Sequence, residues 1–245
     1  MIRNIKLTFA YDGSKFAGTQ LQKDRPSIQE SIEHAIFKVT GKKSRLIIAG
    51  RTDAGVHAYG QVGNFLSAAD IPASAYLYKL RMYLPDSIEI IKSEEVDLDF
   101  HSRFSAKAKT YRYIIYNDEF MHPSFKHLYC HVTYKLDIGL MKEAAQRLCG
   151  KHDFKAFSKY EEVSKNTVRV LDKVKIESLN KLVIIEFKGQ SFLYNQVRIM
   201  VGALVDVGRG HRRPEYITEI IDSKDRLMAG ITYGPEGLYL MEIDY

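Results

Sequence analysis

The chain has 245 residues, 45% of them hydrophobic, which suits one large domain or two small ones with an ordinary core. Its 36 Lys and Arg against 30 Asp and Glu give a formal net charge of +6. That balance favours a polyanionic partner, because cationic side chains release counterions when they meet phosphates. The two cysteines, Cys130 and Cys149, speak against a disulfide framework. No apolar run approaches the ~20 residues of a membrane span. The first ten residues alternate like a strand and lack the long apolar stretch of a signal peptide, so a soluble cytoplasmic protein is expected.

In chain order, Ile5, Leu7, Phe9 and Tyr11 alternate with more polar neighbours, the period of a half-buried strand. Turn residues follow at Asp12-Gly13. Ser27 can cap a helix and Glu30 completes a capping box; Ile28, Ile32, Ala35, Ile36 and Val39 line one face, and Gly41 ends it. A short apolar run at 46–48 precedes a glycine-flanked loop, and a strand spans 61–66. A helix is expected over 72–83, stopped by Leu84-Pro85, then strands over 87–96 and 109–117. Residues 137–149 read as a helix with Leu140, Met141, Ala144 and Leu148 inward. Strands over 168–178 and 182–188 form a hairpin turning at Asn180. Helices over 192–207 and from Pro214 to 221, then a strand over 237–245, complete the chain. Strand–helix–strand order occurs twice, with strands in excess. The expected class is α+β in two similar halves, 1–105 and 106–245, each a mainly antiparallel or mixed sheet with helices on one face.

Three stretches carry chemistry. Residues 49–58, A-G-R-T-D-A-G-V-H-A, put Arg51 and Asp53 in a loop between Gly50 and Gly55. From the pattern alone this is either an ion-pair staple or a reactive site, since loops on rigid scaffolds often carry function. An aspartate is ionised at neutral pH and can act as nucleophile or base. Around 101–113, Arg103, Lys107, Lys109 and Arg112 interleave with aromatic residues, which suits RNA, although a strand burying its tyrosines is the better reading for Tyr113. On the expected helix over 192–207, Arg198 lies among core-like residues and needs a partner. Lys42, Lys43 and Arg45, and Arg209, His211, Arg212 and Arg213, are either a grip on a nucleic-acid backbone or solvated surface. The spacing of His122, His127, Cys130 and His131 fits no familiar zinc pattern, and Asp97 with Asp99 reads as a solvated face.

The string G-R-T-D-A-G-V-H-A resembles the active-site motif of the tRNA pseudouridine synthase A (TruA) family. H-x-R-F-S-A-x-x-x-x-Y-R-Y and F-L-Y-N-x-V-R are similar to two further motifs of that family, and the resemblance runs from Y-D-G near the start to G-L-Y-L near the end. It implies the pseudouridine synthase fold and isomerisation of uridine in the anticodon stem-loop of tRNA, with no cofactor and no metal. It also implies a homodimer whose two subunits touch one tRNA. Asp53 is then the catalytic nucleophile, Arg198 the cation that pairs with it, and Tyr111 the ring that packs on the target uracil and is a candidate for moving its C5 proton. Arg51, Arg103, Lys109 and Arg112 join Tyr111 as substrate-binding residues. Three positions depart from the family's pattern: Thr19 where Gly-Trp-Gln is expected, Arg81 where asparagine is typical, and Gln196 where methionine is usual. They spare Asp53, Tyr111 and Arg198 but loosen the substrate assignment. The alternative is therefore a non-catalytic or narrowed-specificity RNA-binding paralogue on the same scaffold. A carboxylate-dependent nucleosidase would need a second acid or base, and the sequence offers no convincing one beside Asp53.

Overall fold

The computed structural model describes residues 1–20, 26–159 and 166–245. The described residues are α+β and group into two compact units, Met1–Lys107 with Tyr239–Tyr245, and Ala108–Leu238.

The first unit opens with β1 (Arg3–Tyr11), whose alternation buries Ile5, Leu7, Phe9 and Tyr11. Helix α1 (Ile28–Thr40) starts as its sequence dictates: the Ser27 hydroxyl accepts the Glu30 N–H, and Gly41 ends it in the left-handed region at φ 71°. Its inner face is Ile28, Ile32, Ala35 and Ile36, all fully buried, while Val39 is only half-buried. Strand β2 (Ile47–Ile48) is a two-residue partner of β3 (His57–Ser67), which begins inside the glycine-flanked motif, four residues before the expected strand. The helix expected over 72–83 is shorter: a single 3₁₀ turn, Ala73–Ala75, leads into α2 (Tyr76–Arg81), which lacks a side-chain cap. Strand β4 (Ile88–Val96) pairs antiparallel with β1, and β1 with β3, so Leu7 stands opposite both Gly63 and Ser93. Buried Asn4 and Asn64 then fix the segment before Arg103. Asn4 Nδ2 donates to the carbonyls of Asp97 and Phe100, and Asn64 Oδ1 accepts the Ser102 N–H at 2.9 Å.

In the second unit, β5 (Ala108–Asn117) carries β6 (Cys130–Val132) in parallel on one side. Helix α3 (Ile138–Gln146) is capped by Asp137, which accepts the Leu140 N–H, and ends three residues before the expected stop. Met141 and Ala144 point inward, as does Leu148 in the following turn, but Leu140 is only half-buried. Strand β7 (Gly150–Asp153) pairs with β8 (Val168–Leu179). That strand forms the expected hairpin with β9 (Leu182–Gly189), turning at Asn180 with φ 53°. Strand β9 pairs antiparallel with β5, placing Tyr111 opposite Phe187 and Tyr113 opposite Ile185.

The helix expected over 192–207 is α4 (Gln196–Gly208), beginning four residues late. Asn195 sits in the left-handed region at φ 59°, and the Gln196 side chain turns back to accept the Leu193 N–H at 2.7 Å, so Phe192–Tyr194 cannot join the helix. Once started, α4 buries Val197, Met200, Val201, Leu204 and Val205 as its period requires. Helix α5 (Tyr216–Ser223) follows a turn at Pro214 rather than including it. Strand β10 (Leu238–Asp244) closes the chain. Tyr239 and Leu240 pair in parallel with His57 and Ala58 of β3, and Tyr239–Tyr245 group with the first unit. None of the helices is long and apolar enough to cross a membrane among the described residues.

Candidate active site

In the first unit the loop carrying Asp53 connects β2 to β3 and is fixed residue by residue. The Ala49 N–H bonds to the Val62 carbonyl at 2.9 Å, and Gln61, fully buried in β3, donates from Nε2 to the Gly50 carbonyl at 2.9 Å. The Thr52 hydroxyl shares a 2.8 Å hydrogen bond with the buried Tyr11 hydroxyl, and the Thr52 N–H donates to Thr19 Oγ1 at 2.9 Å. After Asp53 the chain turns, with the Val56 N–H on the Asp53 carbonyl and Gly55 at φ 80°. Burial pushes the Tyr11 phenol up to about 12, outweighing its hydrogen bonds to Thr52 and Gln61, so the hydroxyl stays neutral in this network.

Two glycines let the chain after β1 lie directly against this loop. A Cβ on Gly13 would stand 1.9 Å from the Val56 carbonyl oxygen, and one on Gly18 2.8 Å from that of Thr52. His57, buried at the start of β3, accepts the Gly13 N–H on Nδ1, stands 3.3 Å from the Asp12 carboxylate and stacks on Tyr239 at 4.7 Å. Burial opposes ionisation of Asp12, but hydrogen bonds from the Ser14 hydroxyl and N–H outweigh it and hold the carboxyl below the usual range. In this frame Asp53 is half-buried and Arg51 exposed. Arg103, exposed in the same unit, lies over the Phe104 ring.

The second unit brings Tyr111 and Arg198 onto one segment, 192–198. Tyr111, 8% exposed on β5, meets Phe192 edge-on at 5.1 Å. Arg198 donates from Nε to the Tyr233 carbonyl at 2.7 Å and from Nη1 to Asn195 Oδ1 at 2.8 Å. The left-handed Asn195 thus both starts α4 and orients the guanidinium. Tyr113 is fully buried, with its hydroxyl on the Gly234 carbonyl, which agrees with the structural reading of that residue. Arg112 faces the other side of β5 and pairs at 3.3 Å with Glu186, its cross-strand neighbour, which Lys173 also reaches. Lys109, half-buried, shares the strand parity of Tyr111.

Lys42, Lys43 and Arg45 are exposed, as are Arg209, Arg212 and Arg213; Arg209 stacks on Tyr134 at 3.6 Å and Arg212 on Tyr216 at 4.6 Å. Asp97 and Asp99 are exposed, and Arg81 pairs with Glu89 on the surface. Among the described residues, no three or more His, Cys, Asp or Glu side chains are grouped so as to hold a metal ion.

Sequence reasoning missed the supporting residues: Tyr11, Thr19, Gln61, Asn195 and Phe192. The available signal was a polar residue inside an apolar strand pattern, as at Gln61, and glycines at 13 and 18 bracketing the turn after β1.

The motif architecture defines a class before it defines a member: the sequence pattern of the family described as tRNA pseudouridine synthase matches residues 7–105 and 144–245. Asp53, Arg51, Arg103 and Arg198 lie in the matched parts; Tyr111, Lys109 and Arg112 lie between them. Relatives span the whole chain. The protein named tRNA pseudouridine synthase A of Finegoldia magna is 48% identical over 244 residues, with 100% of each chain covered. That of Acetivibrio thermocellus is 47% identical over the same length and coverage. The chain belongs to the tRNA pseudouridine synthase family, and with it to the isomerases.

Proposed function

We propose that this protein converts uridine to pseudouridine in the anticodon stem-loop of tRNA, with Asp53 as nucleophile. The observation that carries the reading is the Asp53 loop itself. Asp53 is half-buried on a backbone held by buried partners at Gly50 and Thr52, and preorganisation of this kind is what an active-site nucleophile needs. The uridine is flipped out of the stem-loop at a cost of about a few kcal/mol, which stacking on Tyr111 partly offsets. Attack by the Asp53 carboxylate at C6 of the base or at C1′ of the ribose leads to the same outcome. The N1–C1′ bond breaks, the uracil turns, and a C5–C1′ bond forms. C5 then loses its proton, N1 ends protonated, and Asp53 is released. Product and substrate are isomers, so no co-substrate is consumed.

In this reading Arg198, oriented by Asn195 and the Tyr233 carbonyl, is the cation that serves Asp53. Arg51, Arg103 and Lys109 hold phosphates. Arg112, committed to Glu186, is the least suited of the four cations to that task. The protein acts in the cytoplasm as a homodimer gripping one tRNA.

The test uses purified protein and an unmodified tRNA transcript with anticodon-arm uridines, with Asp53→Asn alongside. Pseudouridine is mapped by carbodiimide-dependent reverse-transcription stops. Stops with the wild type and none with Asp53→Asn are expected. Tight binding without stops across several tRNAs would leave the non-catalytic paralogue, and release of free uracil would leave a nucleosidase.

A further inference from the structure

We propose that Thr19 and Tyr11 are positioning residues for Asp53, acting through Thr52 as a two-sided clamp. The proposal rests on the reading of Asp53 as the nucleophile. Thr52 immediately precedes Asp53, and each of its polar groups is bound by a buried residue. Its N–H donates to Thr19 Oγ1 at 2.9 Å, its carbonyl accepts the Thr19 N–H at 3.2 Å, and its hydroxyl meets Tyr11 at 2.8 Å. Thr19, Thr52 and Tyr11 are 1%, 8% and 5% exposed, so water does not readily replace these bonds.

Thr19 is itself fixed from the far side. The first N–H groups of α1 have no partner within the helix. Those of Ile28 and Gln29 bind the carbonyls of Gly18 and Thr19, at 3.3 and 3.1 Å. Gly18, at φ 105°, brings this strap close enough that a Cβ there would press on Thr52, Asp53 and Ala54 backbone atoms. A continuous path of hydrogen bonds therefore runs from the start of α1 through Thr19 to Thr52, the residue before the nucleophile. Tyr11 holds the same residue from β1, and Gln61 ties Tyr11 to Gly50 on the other flank.

Two rotatable bonds separate the Asp53 carboxylate from its backbone, and the clamp removes the backbone's share of that freedom. A displacement of about 1 Å at a reacting group costs on the order of a hundredfold in rate. The side chain at position 19 thus sets the rate of bond formation and not the affinity for RNA, because Thr19 is buried beneath the loop and offers tRNA no surface.

The experiment compares Thr19→Val, Thr19→Ser, Tyr11→Phe and Asp53→Asn in the full chain. It measures single-turnover pseudouridine formation, tRNA affinity by filter binding, and thermal unfolding. Thr19→Val keeps the shape and deletes the hydroxyl, so the single-turnover rate is expected to fall by about ten- to a hundredfold with tRNA affinity within about threefold. Thr19→Ser restores the hydroxyl and should recover a rate within about threefold of wild type. Tyr11→Phe loosens only one side of the clamp and keeps the ring that packs the core, so it reads the same effect if Thr19→Val does not fold, with a rate loss of about three- to tenfold. Wild-type rates in Thr19→Val or, should that variant not fold, in Tyr11→Phe overturn the clamp. So does a Thr19→Ser enzyme as slow as Thr19→Val, or a rate loss matched by an equal loss of tRNA affinity. An inactive Asp53→Asn beside a fully active Thr19→Val sinks the clamp alone, whereas an active Asp53→Asn removes the reading on which it rests.

Discussion

Asn195 shows how one residue serves both the backbone and a neighbouring side chain. Its φ of 59° costs a non-glycine residue roughly 1–2 kcal/mol, and asparagine tolerates that region better than most. In return the chain turns sharply into α4, and Oδ1 receives Nη1 of Arg198. Replacements separate the two roles. Asn195→Ala loses the acceptor and meets the backbone strain, so both thermal stability and pseudouridine formation should fall. Asn195→Gly relieves the strain without restoring the acceptor, so its melting temperature should exceed that of the alanine variant while its rate stays low. Equal rates in wild type and Asn195→Gly would show that Arg198 needs no help from Asn195. The guanidinium's fork matters as well. Arg198→Lys keeps the charge but not the pair of donors to Tyr233 and Asn195, and should lower the single-turnover rate by about a hundredfold.

Helix α4 turns such local detail into architecture, because the segment that receives Arg198 packs against its own Gly202. A Cβ at position 202 would stand 2.3 Å from the Ile231 carbonyl oxygen. In an open helix Gly→Ala gains about 1 kcal/mol; here Gly202→Ala must push the 231–233 segment away and should destabilise by roughly 1–3 kcal/mol. A lower urea midpoint with unchanged slope would bear this out, and a raised midpoint would mean that the segment yields freely. The same helix marks what the amino-acid order made legible. Elements with a sustained period and a chemical stop were readable: β1 by alternation, α1 by Ser27 and Gly41, the β8–β9 hairpin by Asn180, and the buried face of α4. The onset of α4 was not, since Gln196 bonding back to Leu193 is a tertiary choice that the apolar pattern of 192–207 does not record. Strands β6 and β7, of three and four residues, are too short to show a period. The Asp53 loop was legible as a glycine-flanked charged motif. Its support was not, because Thr19 and Tyr11, which bind Thr52 and Gln61, lie 33 to 50 residues away from them in the chain.

Across the whole molecule, the ionisable groups set a pH window for stability. On the acid side, Asp12 and Glu94 in the first unit and Asp153 and Glu186 in the second have carboxyls held below their usual range. Burial pushes Asp12 and Glu186 the other way, but hydrogen bonds and neighbouring cations outweigh it; in Glu94 and Asp153 the hydrogen bonds from Lys92 and Thr167 lead. A carboxyl lowered by folding contributes stability above its unfolded value, near 4, and loses it as the pH falls through the lower folded value. All four are half-buried, so water still reaches them, and the loss is gradual and weakened by salt. On the alkaline side the sign reverses. Burial raises the phenols of Tyr11, to about 12, and of Tyr113, Tyr233 and Tyr245 above the usual range. Each keeps its full contribution below its unfolded value, near 10, and loses it as the pH rises through the folded value. For the fully buried Tyr11 the span from 10 to about 12 corresponds to roughly 2–3 kcal/mol. Melting temperatures should therefore form a plateau between about pH 5 and 9, decline gently below about 4 and drop steeply above about 10. Tyr245→Phe, which removes one of the raised phenols and its hydrogen bond to the Ser102 carbonyl, should lower the plateau and soften the alkaline drop. An alkaline limb unchanged in that variant would mean that the other phenols set the limit.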